Sequence, residues 1–147
     1  MNRPCRPKGA PWISPYLTSR NVEASLDFYE RAFGFTKKDT LMSPEGKVQH
    51  AEMTFQDGLV MMGAEGAWSP MQAPATSGHP CPINLYVYCE DVDALHARAK
   101  AAGAKITGEP QDMFWGDRVC MITDLDGYPW TFATNVGEFD ASKMPSK

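Results

Sequence analysis

The sequence carries one pattern twice, first as PYLTSRNVEASLDFYERAFGF at residues 15–35 and again as LYVYCEDVDALHARAKAAGAK at residues 85–105. Each stretch combines a short strand, a helix-capping residue, an amphipathic helix and a terminating glycine. A strand and a tight turn follow each of them, in MTFQDGLVMM at residues 53–62 and in ITDLDGYPWTF at residues 122–132. Two copies of one unit can enclose a cleft between them, and we expect the functional site in that cleft.

Both predicted helices have clear ends. Asn21 and Asp91 precede them, and a short side chain with an oxygen at this position accepts a hydrogen bond from the first helical turn. Gly34 and Gly103 follow them and can adopt the left-handed conformation that ends a helix. Apolar residues at helical spacing predict one buried stripe on each helix, made of Val22, Leu26, Tyr29 and Phe33 on the first and of Val92, Leu95, Ala99 and Ala102 on the second.

The repeat divides a single predicted domain, residues 1–147, into two β-α-β-β-β modules at residues 12–62 and 83–134. Period-2 patterning and hairpin turns predict an α+β fold, in which curled mixed or antiparallel sheets surround a groove and the helices cover one face. Residues 63–82 are rich in Gly, Pro, Ala and Ser, and they predict either a disordered linker or a flap over the groove. The polar tail from Asn135 is predicted to be frayed.

Three local boundaries follow from the same patterns. The first strand is predicted to begin at Trp12 and to end at Ser19. In the second module, a strand near Lys105 is predicted to give way to a loop at residues 109–117, and the next strand is predicted at residues 118–123. The Pro-rich leader, with its basic residues Arg3, Arg6 and Lys8, is predicted to be a flexible tail.

The composition is that of a globular protein, with 43% hydrophobic and 22% charged residues and a net charge of −4. No basic run indicates a nucleic-acid partner, and no stretch approaches the roughly 18 apolar residues of a membrane span. The 4 cysteines form no CxxC motif and no zinc-binding spacing with histidine. We therefore expect a cytoplasmic protein that binds neither nucleic acid nor membrane.

Strand alternation assigns one set of side chains to the groove. The predicted groove set combines hydroxyls, an amide, aromatic rings and one His-x-Glu pair, as a ligand pocket does. It consists of Ser14, Tyr16, Thr18, His50, Glu52, Thr54, Asn84, Tyr86, Tyr88, Met121, Thr123, Pro129 and Thr131.

His50 and Glu52 are the candidate catalytic pair. Two positions apart on a strand, they share a face, where the carboxylate could orient the imidazole or share a metal with it. The alternative is that both side chains only form hydrogen bonds in a polar groove. Arg118 could likewise bind a carboxylate or phosphate, or form a surface ion pair with its neighbour Asp117.

Aromatic and sulfur-containing side chains lie in the predicted loops beside the groove. Phe114, Trp115, Trp68 and Met71 can stack on a flat ligand or cap the ends of the sheets. His79 falls in the connector, and His96 falls on the predicted solvent side of the second helix.

Three stretches in this order resemble the vicinal oxygen chelate superfamily of glyoxalase I, bleomycin-resistance proteins and extradiol dioxygenases. They are ASLDFYERAFGF at residues 24–35, CEDVDALHARAKAAGA at residues 89–104 and WGDRVCMITDLDGYPWTF at residues 115–132. The third is similar to the family signature WGxR…DPDGxxW, with Leu125 in place of its proline. The resemblance covers residues 12–134 and implies the two-module fold and a homodimer.

The resemblance also locates four positions at which metal-using relatives carry His, Gln or Glu. It assigns them to Ser14, Glu52, Asn84 and Thr131, so only Glu52 keeps a ligand type. A divalent site usually needs three strong protein ligands. We therefore expect no metal and no other cofactor, which argues against glyoxalase, dioxygenase and fosfomycin-transferase activities.

Two functions from different classes follow. The first is a bleomycin-resistance-like protein that binds a small aromatic or amphiphilic molecule between Tyr16, Tyr86, Tyr88, Trp115 and Met121. Asn84, His50 and Glu52 would orient the molecule, and Ser14 and Thr131 are further predicted ligand-binding residues. The second is a lyase, isomerase or dioxygenase-like enzyme that uses His50 and Glu52, with or without a divalent metal. A purely structural module has less support, because no long exposed apolar helix face or charged tail is present.

Overall fold

The computed structural model describes residues 3–146 and contains two four-stranded sheets of the same design. Sheet 1 has the order β1-β4-β3-β2, and sheet 2 has the order β5-β8-β7-β6. In each sheet the first strand pairs parallel with the last, and the other neighbours are antiparallel. The predicted α+β fold of two β-α-β-β-β modules with mixed sheets is therefore confirmed.

The strands have the following bounds. Sheet 1 contains β1 (Tyr16–Ser19), β2 (Thr36–Met42), β3 (Val48–Phe55) and β4 (Gly58–Ala64). Sheet 2 contains β5 (Leu85–Tyr88), β6 (Lys105–Asp112), β7 (Asp117–Thr123) and β8 (Pro129–Asn135).

Both helices of the repeat begin and end as predicted. Helix α1 (Val22–Phe28) is capped by Asn21, which accepts a hydrogen bond from the Ala24 N–H at 3.1 Å. It continues as a π-helical turn (Tyr29–Phe33) and ends at Gly34, whose φ is 73°. Helix α3 (Val92–Ala101) has the equivalent cap at Asp91 and a left-handed Gly103. A short helix α2 (Pro74–Ser77) lies between the modules, and a 3-10 turn (Ala141–Lys143) follows β8.

The strand register defines which positions of the two modules are equivalent. Tyr16 of β1 pairs with Met61 of β4, which also pairs with Glu52 of β3. In sheet 2, Tyr86 pairs with Thr131, which also pairs with Met121. The equivalent positions are therefore Tyr16 and Tyr86, Met61 and Thr131, and Glu52 and Met121.

Residues of both modules build one hydrophobic core on the helix side of the sheets. Phe33 of the π-helical turn lies 4.7 Å from Phe132 of β8, measured between ring centroids, and 5.3 Å from Trp130. Ala51 and Met53 of β3 are fully buried on this side, as alternation predicted. The first module thus inserts its aromatic side chains against the second sheet, which couples the two repeats through apolar burial.

Two buried carboxylates fasten the modules to each other. Asp124 accepts hydrogen bonds from the Tyr29 hydroxyl at 2.6 Å and from the Trp130 indole N–H at 2.8 Å. Asp126 accepts from the Ser25 hydroxyl at 3.0 Å and from the Nε of Arg20 at 3.1 Å. Burial raises the pKa of Asp124, although hydrogen bonds from Tyr29 and Trp130 oppose this effect. The sequence identified this segment only as a tight turn.

Three predicted boundaries are wrong. Strand β1 begins at Tyr16 and not at Trp12. The predicted loop at 109–117 is mostly strand, because β6 continues to Asp112 and β7 begins at Asp117. Strand β6 lies at the edge of sheet 2, where a proline such as Pro110 and irregular pairing are tolerated.

The C-terminal tail is hydrogen-bonded to the β6–β7 turn and is not frayed. The backbone N–H groups of Val136 and Gly137 donate to the Gly116 carbonyl, and that of Asp140 donates to the Phe114 carbonyl. The rings of Phe139 and Phe114 lie 5.9 Å apart between centroids. The prediction of a frayed tail, which rested on its polar composition, is therefore wrong.

The connector is packed against the Asp124–Gly127 turn and is not a structureless linker. Ala73 is fully buried, and the Ala75 N–H donates to the Asp126 carbonyl at 2.9 Å. Glu65 accepts from the Ala73 N–H at 2.8 Å. No helix within residues 3–146 is long and apolar enough to cross a membrane.

The Tyr29–Asp124 hydrogen bond gives the first testable prediction. Tyr29→Phe leaves the ring in place but removes one donor from a buried carboxylate, so the free energy of unfolding should fall by about 1–3 kcal/mol. Urea unfolding followed by circular dichroism measures the change. Tyr16→Phe is the matched control, because its hydroxyl bond is exposed and should contribute less than about 1 kcal/mol. Equal losses in the two variants would contradict a special role for Asp124.

Candidate functional site

Each sheet carries one polar cluster on the face opposite the helices. The His50 cluster on sheet 1 consists of Tyr16, Lys38, His50 and Glu52. The Asp117 cluster on sheet 2 consists of Tyr86, Tyr88, Trp115, Asp117 and Asn135. The equivalent residues Tyr16 and Tyr86 anchor the two clusters, so the internal repeat extends to the candidate site.

In the His50 cluster, a tyrosine orients the imidazole. The Tyr16 hydroxyl lies 3.0 Å from Nδ1 of His50, and the two ring centroids are 5.6 Å apart. Gly63 on the intervening strand makes this contact possible, because a Cβ there would lie 2.7 Å from the Tyr16 hydroxyl. On the other side of the imidazole, Nε2 lies 3.7 Å from Oε1 of Glu52. This distance exceeds that of a hydrogen bond.

Lys38 is absent from the predicted groove set and changes the charge of this cluster. Its Nζ lies 2.9 Å from Oε2 of Glu52. Lys37 is opposite the buried Met53 and Asp39 is opposite Glu52, so Lys38 falls beside Glu52 on the face away from the helices. The hydrogen bond from Lys38 lowers the pKa of Glu52. Glu52 is therefore a compensated carboxylate and a weak proton acceptor.

The N-terminal leader lies over the His50 cluster instead of forming a flexible tail. Arg6 to Pro11 line one side of a cavity of about 400 Å³, and Ser14, Lys38, Glu52, Thr54 and Met61 line the other side. The Arg6 guanidinium lies 4.4 Å from the ring centroid of Trp12. From the connector, Trp68 lies 6.5 Å from His50 between ring centroids. Sheet 1 thus presents a partly covered pocket.

In the Asp117 cluster, two phenols converge on one carboxylate. The hydroxyls of Tyr86 and Tyr88 donate to Oδ2 of Asp117 at 2.7 and 2.8 Å, and Asn135 donates to Oδ1 at 3.0 Å. The Trp115 indole N–H donates to the Tyr86 hydroxyl at 3.1 Å. Asp117 is only 2% exposed, whereas Tyr86 and Tyr88 are 43% and 59% exposed. The exposed rings of Tyr86 and Tyr88 are therefore held in place by hydrogen bonds to the buried Asp117.

The hydrogen bonds determine the protonation states of this cluster. Burial alone would raise the pKa of Asp117, but hydrogen bonds from Asn135, Tyr86 and Tyr88 outweigh it and lower the pKa below its ordinary value. Burial and the bond to Asp117 raise the pKa of Tyr86 to about 12. The carboxylate is therefore charged at neutral pH and the Tyr86 phenol is protonated.

Asp117 could have been found from the sequence, since it lies in the quoted WGDR stretch and shares strand parity with Met121. The predicted ion pair between Asp117 and its neighbour Arg118 is wrong. Arg118 forms a two-pronged ion pair with Asp93, at 2.7 and 2.9 Å, and a further bond to Asp112, rather than pairing with Asp117. It is engaged on the helix side of β7 and does not face the clusters.

His96 was predicted on the solvent side of its helix, but its side chain is only 12% exposed. Its Nε2 lies 2.8 Å from Oε2 of Glu109, a residue of the β6 segment that the sequence assigned to a loop.

The residues at the predicted metal positions do not fit a divalent metal. Ser14 and Asn84 are equivalent in the two modules, whereas the register makes Thr131 equivalent to Met61, and Glu52 equivalent to Met121. Neither Ser14, Met61, Asn84 nor Thr131 supplies an imidazole or a carboxylate. Nδ2 of Asn84 donates to Oγ1 of Thr131 at 2.9 Å, and the Thr131 hydroxyl donates to Oδ1 of Asn84 at 3.2 Å. Within residues 3–146 no three His, Cys, Asp or Glu side chains group as metal ligands would.

The predicted groove residues lie on two separate faces. Ser14 and Tyr16 accompany His50 and Glu52 at sheet 1, whereas sheet 2 carries Asn84, Tyr86, Tyr88, Trp115, Met121 and Thr131. Among the described residues, no hydrogen bond or ion pair joins the His50 cluster to the Asp117 cluster. Thr131 is buried and hydrogen-bonded to Asn84. It therefore positions Asn84 and is not itself accessible at the surface.

Comparison with known proteins gives a consistent relationship. The model of the Glyoxalase/Bleomycin resistance protein/Dioxygenase superfamily matches residues 11–132. An uncharacterized protein of Mycobacterium bovis is 28% identical over 137 residues, which cover 91% of this chain and 90% of that protein. The crystal structure of TioX from Micromonospora sp. ML1 shares 30% identity with a TM-score of 0.70, and the match covers 84% of this chain and 98% of TioX.

A further similar structure is TnmS3, described as an antibiotic binding protein from Streptomyces sp. CB03234. It shares 22% identity with a TM-score of 0.61, and the match covers 85% of this chain and 93% of TnmS3. At this identity the similarity concerns the fold.

The Lys38–Glu52 pair gives the second testable prediction. Lys38→Gln removes the cation that stabilises the Glu52 carboxylate, so the pKa of Glu52 should rise toward its ordinary value. A carbon-detected NMR titration of the Glu52 carboxyl measures the change. Lys37→Gln is the control, because Lys37 pairs with Glu30 and not with Glu52. An unchanged Glu52 pKa in Lys38→Gln would show that the ion pair is not formed in solution.

Proposed function

Because the chain belongs to the Glyoxalase/Bleomycin resistance protein/Dioxygenase superfamily, we propose that it binds a small aromatic or amphiphilic molecule without a metal. The binding surface is formed by the sheet faces opposite the helices, with the Asp117 cluster as its main aromatic wall. The clusters on these faces combine exposed rings with a small number of polar groups, which is the usual make-up of a ligand site.

One observation carries this proposal. Tyr86 and Tyr88 expose about half of their surface, yet both hydroxyls are bonded to the same buried carboxylate. Their rings are T-shaped to each other, with centroids 5.6 Å apart. A ring held in place before binding loses little conformational entropy when a ligand stacks on it. Such a fixed, exposed aromatic surface is expected of a binding site and has no evident role in the core.

The polar groups favour binding over proton transfer. The charge of Glu52 is balanced by Lys38, whose Nζ lies 2.9 Å away. The pKa of Tyr86 is raised to about 12, so its hydroxyl stays protonated at neutral pH. A general base is most effective when its pKa lies near the working pH. The fold similarity to TnmS3, an antibiotic binding protein, agrees with the binding proposal.

A metal-independent enzyme is the second candidate, and one observation favours it. Tyr16 bonds to Nδ1 of His50 and leaves Nε2 directed toward Glu52 at 3.7 Å, so the imidazole is oriented as a general base would be. If this candidate is correct, His50→Gln abolishes turnover of a carbonyl substrate while ligand affinity is retained. If binding alone is the function, the same variant changes affinity only modestly and no turnover is found.

The third prediction tests the binding site directly. Tyr86→Ala combined with Tyr88→Ala removes the exposed wall and should lower the affinity for an uncharged aromatic probe such as N-phenyl-1-naphthylamine by at least about tenfold. Fluorescence titration with and without EDTA measures it, and EDTA should have no effect. His79→Ala in the connector is the control. Unchanged affinity in the double variant would refute the assignment of the wall, and loss of binding in EDTA would refute a metal-free site.

We also propose that a second copy of the chain completes the groove. No hydrogen bond or ion pair within residues 3–146 joins the two clusters. Large apolar side chains are exposed, among them Ile13 at 88%, Met71 at 63% and Ile83 at 66%. These three line a mostly apolar cavity of about 700 Å³ next to β1 and β5. Exposed apolar surface of this kind commonly marks a protein interface.

The fourth prediction is that the protein is a dimer, which light scattering at micromolar concentration measures. The mass should be twice the 16.3 kDa of one chain. Ile13→Glu together with Ile83→Glu should shift the protein to a monomer, because a buried unpaired charge opposes association. Met144→Glu, at an exposed site in the tail, should leave the dimer intact. A monomeric wild-type protein would rule out the second copy.

A further inference from the structure

We infer that the Asp117 cluster recognises an alkylated ammonium group, so that the ligand is a cation with an apolar body. This inference rests on the proposed binding function and specifies its ligand class. It derives from the arrangement of three aromatic side chains around one uncompensated, buried charge.

The aromatic side chains form adjoining walls. The ring planes of Tyr86 and Tyr88 meet at 65°, and their centroids are 5.6 Å apart. The Trp115 indole adjoins them, because its N–H donates to the Tyr86 hydroxyl. Two or more rings set at steep angles allow a rounded cation to contact several π-faces at once, within about 6 Å of each centroid.

The charge behind these walls has no cationic partner. Within residues 3–146, no Lys, Arg or His side chain forms an ion pair with Asp117, and its immediate neighbour Arg118 is directed to Asp93 and Asp112. Its bonds come from Tyr86, Tyr88 and Asn135, which are neutral donors. The wall therefore carries a net negative charge at neutral pH, and a ligand cation would supply the missing counter-charge.

The hydrogen bonds also strengthen the rings as cation acceptors. A phenol that donates to a carboxylate shifts electron density toward its ring, and both tyrosines donate to the same Oδ2. Cation binding by an aromatic ring depends on the negative potential of its face. The buried acid thus acts on the ligand through the rings as well as by its own field.

The same geometry disfavours a metal ion at this position. Both carboxylate oxygens already accept hydrogen bonds, and Asp117 is 2% exposed, so a small hard cation could not reach an open oxygen. A tetraalkylammonium needs no lone pair and interacts with the ring faces instead. The His50 cluster offers no comparable charge, because Lys38 compensates Glu52.

The test compares choline with its neutral isostere 3,3-dimethylbutan-1-ol, which differ in charge but hardly in shape. Each is titrated into the full chain while NMR follows the Trp115 indole N–H. Choline should bind at least about tenfold more tightly, in the upper range for a desolvated cation–π site. The preference should persist from pH 6 to pH 9, since the Tyr86 pKa is about 12 and the Asp117 pKa is low.

Variants separate the charge from the rings. Asp117→Asn should abolish the preference for choline, whereas Asp57→Asn, an equal charge change in the exposed β3–β4 turn, should leave it intact. Because Asp117→Asn could disturb folding, Tyr88→Leu and Tyr88→Phe form a second pair. Tyr88→Leu loses the ring and should weaken choline binding at least about fivefold, and Tyr88→Phe keeps the ring and should lose less.

The outcomes are distinct from those of the binding proposal. Equal affinity for the two probes, or a Tyr88→Leu variant that binds choline like the wild type, overturns the ammonium inference. If choline leaves the Trp115 signal unchanged while the uncharged N-phenyl-1-naphthylamine still binds, the inference fails and the binding function stands. If neither probe binds, both fail.

Discussion

The arrangement of the two sheets depends on the buried turn at residues 124–127. Asp124 and Asp126 accept hydrogen bonds from Tyr29, Ser25 and Arg20 of the other module. These bonds fix the position of one module relative to the other, which the shared aromatic core alone would not determine. Apolar packing has no strong directional preference, whereas a buried carboxylate is stabilised only where its donors are in place. The connector reinforces this contact by donating its Ala75 N–H to the same turn.

Duplication supplies the scaffold of the site, and divergence supplies its chemistry. Tyr16 and Tyr86 occupy equivalent positions, and each reaches across the last strand of its sheet to a polar residue on the neighbouring strand. In sheet 1 the partner is His50, and the charge of the neighbouring Glu52 is balanced by Lys38. In sheet 2 the partner is Asp117, whose donors among residues 3–146 are Tyr86, Tyr88 and Asn135, all of them neutral. The same arrangement, a tyrosine that bonds across one strand to a polar side chain, therefore occurs in two different electrostatic environments.

The sequence predicted the repeated modules, the helix caps and the faces of β3 and β5, because these features depend on local periodicity and on single capping residues. It did not predict contacts between side chains of different strands. Lys38 of β2 joins Glu52 of β3, and no faces were assigned to β2 from the sequence. In the Asp117 cluster, alternation predicted the face of Tyr86 and Tyr88, whereas Asp117 was assigned to a loop because β7 begins one residue earlier than expected.

Gly63 lacks the side chain that would keep Tyr16 away from His50, and the equivalent position in sheet 2 is Ala133, which is fully buried. A Cβ at Gly63 would lie 2.7 Å from the Tyr16 hydroxyl, so the contact of Tyr16 with His50 depends on this glycine. The two faces also differ in charge. If one ligand spans both of them, as proposed, this difference favours one of its two orientations.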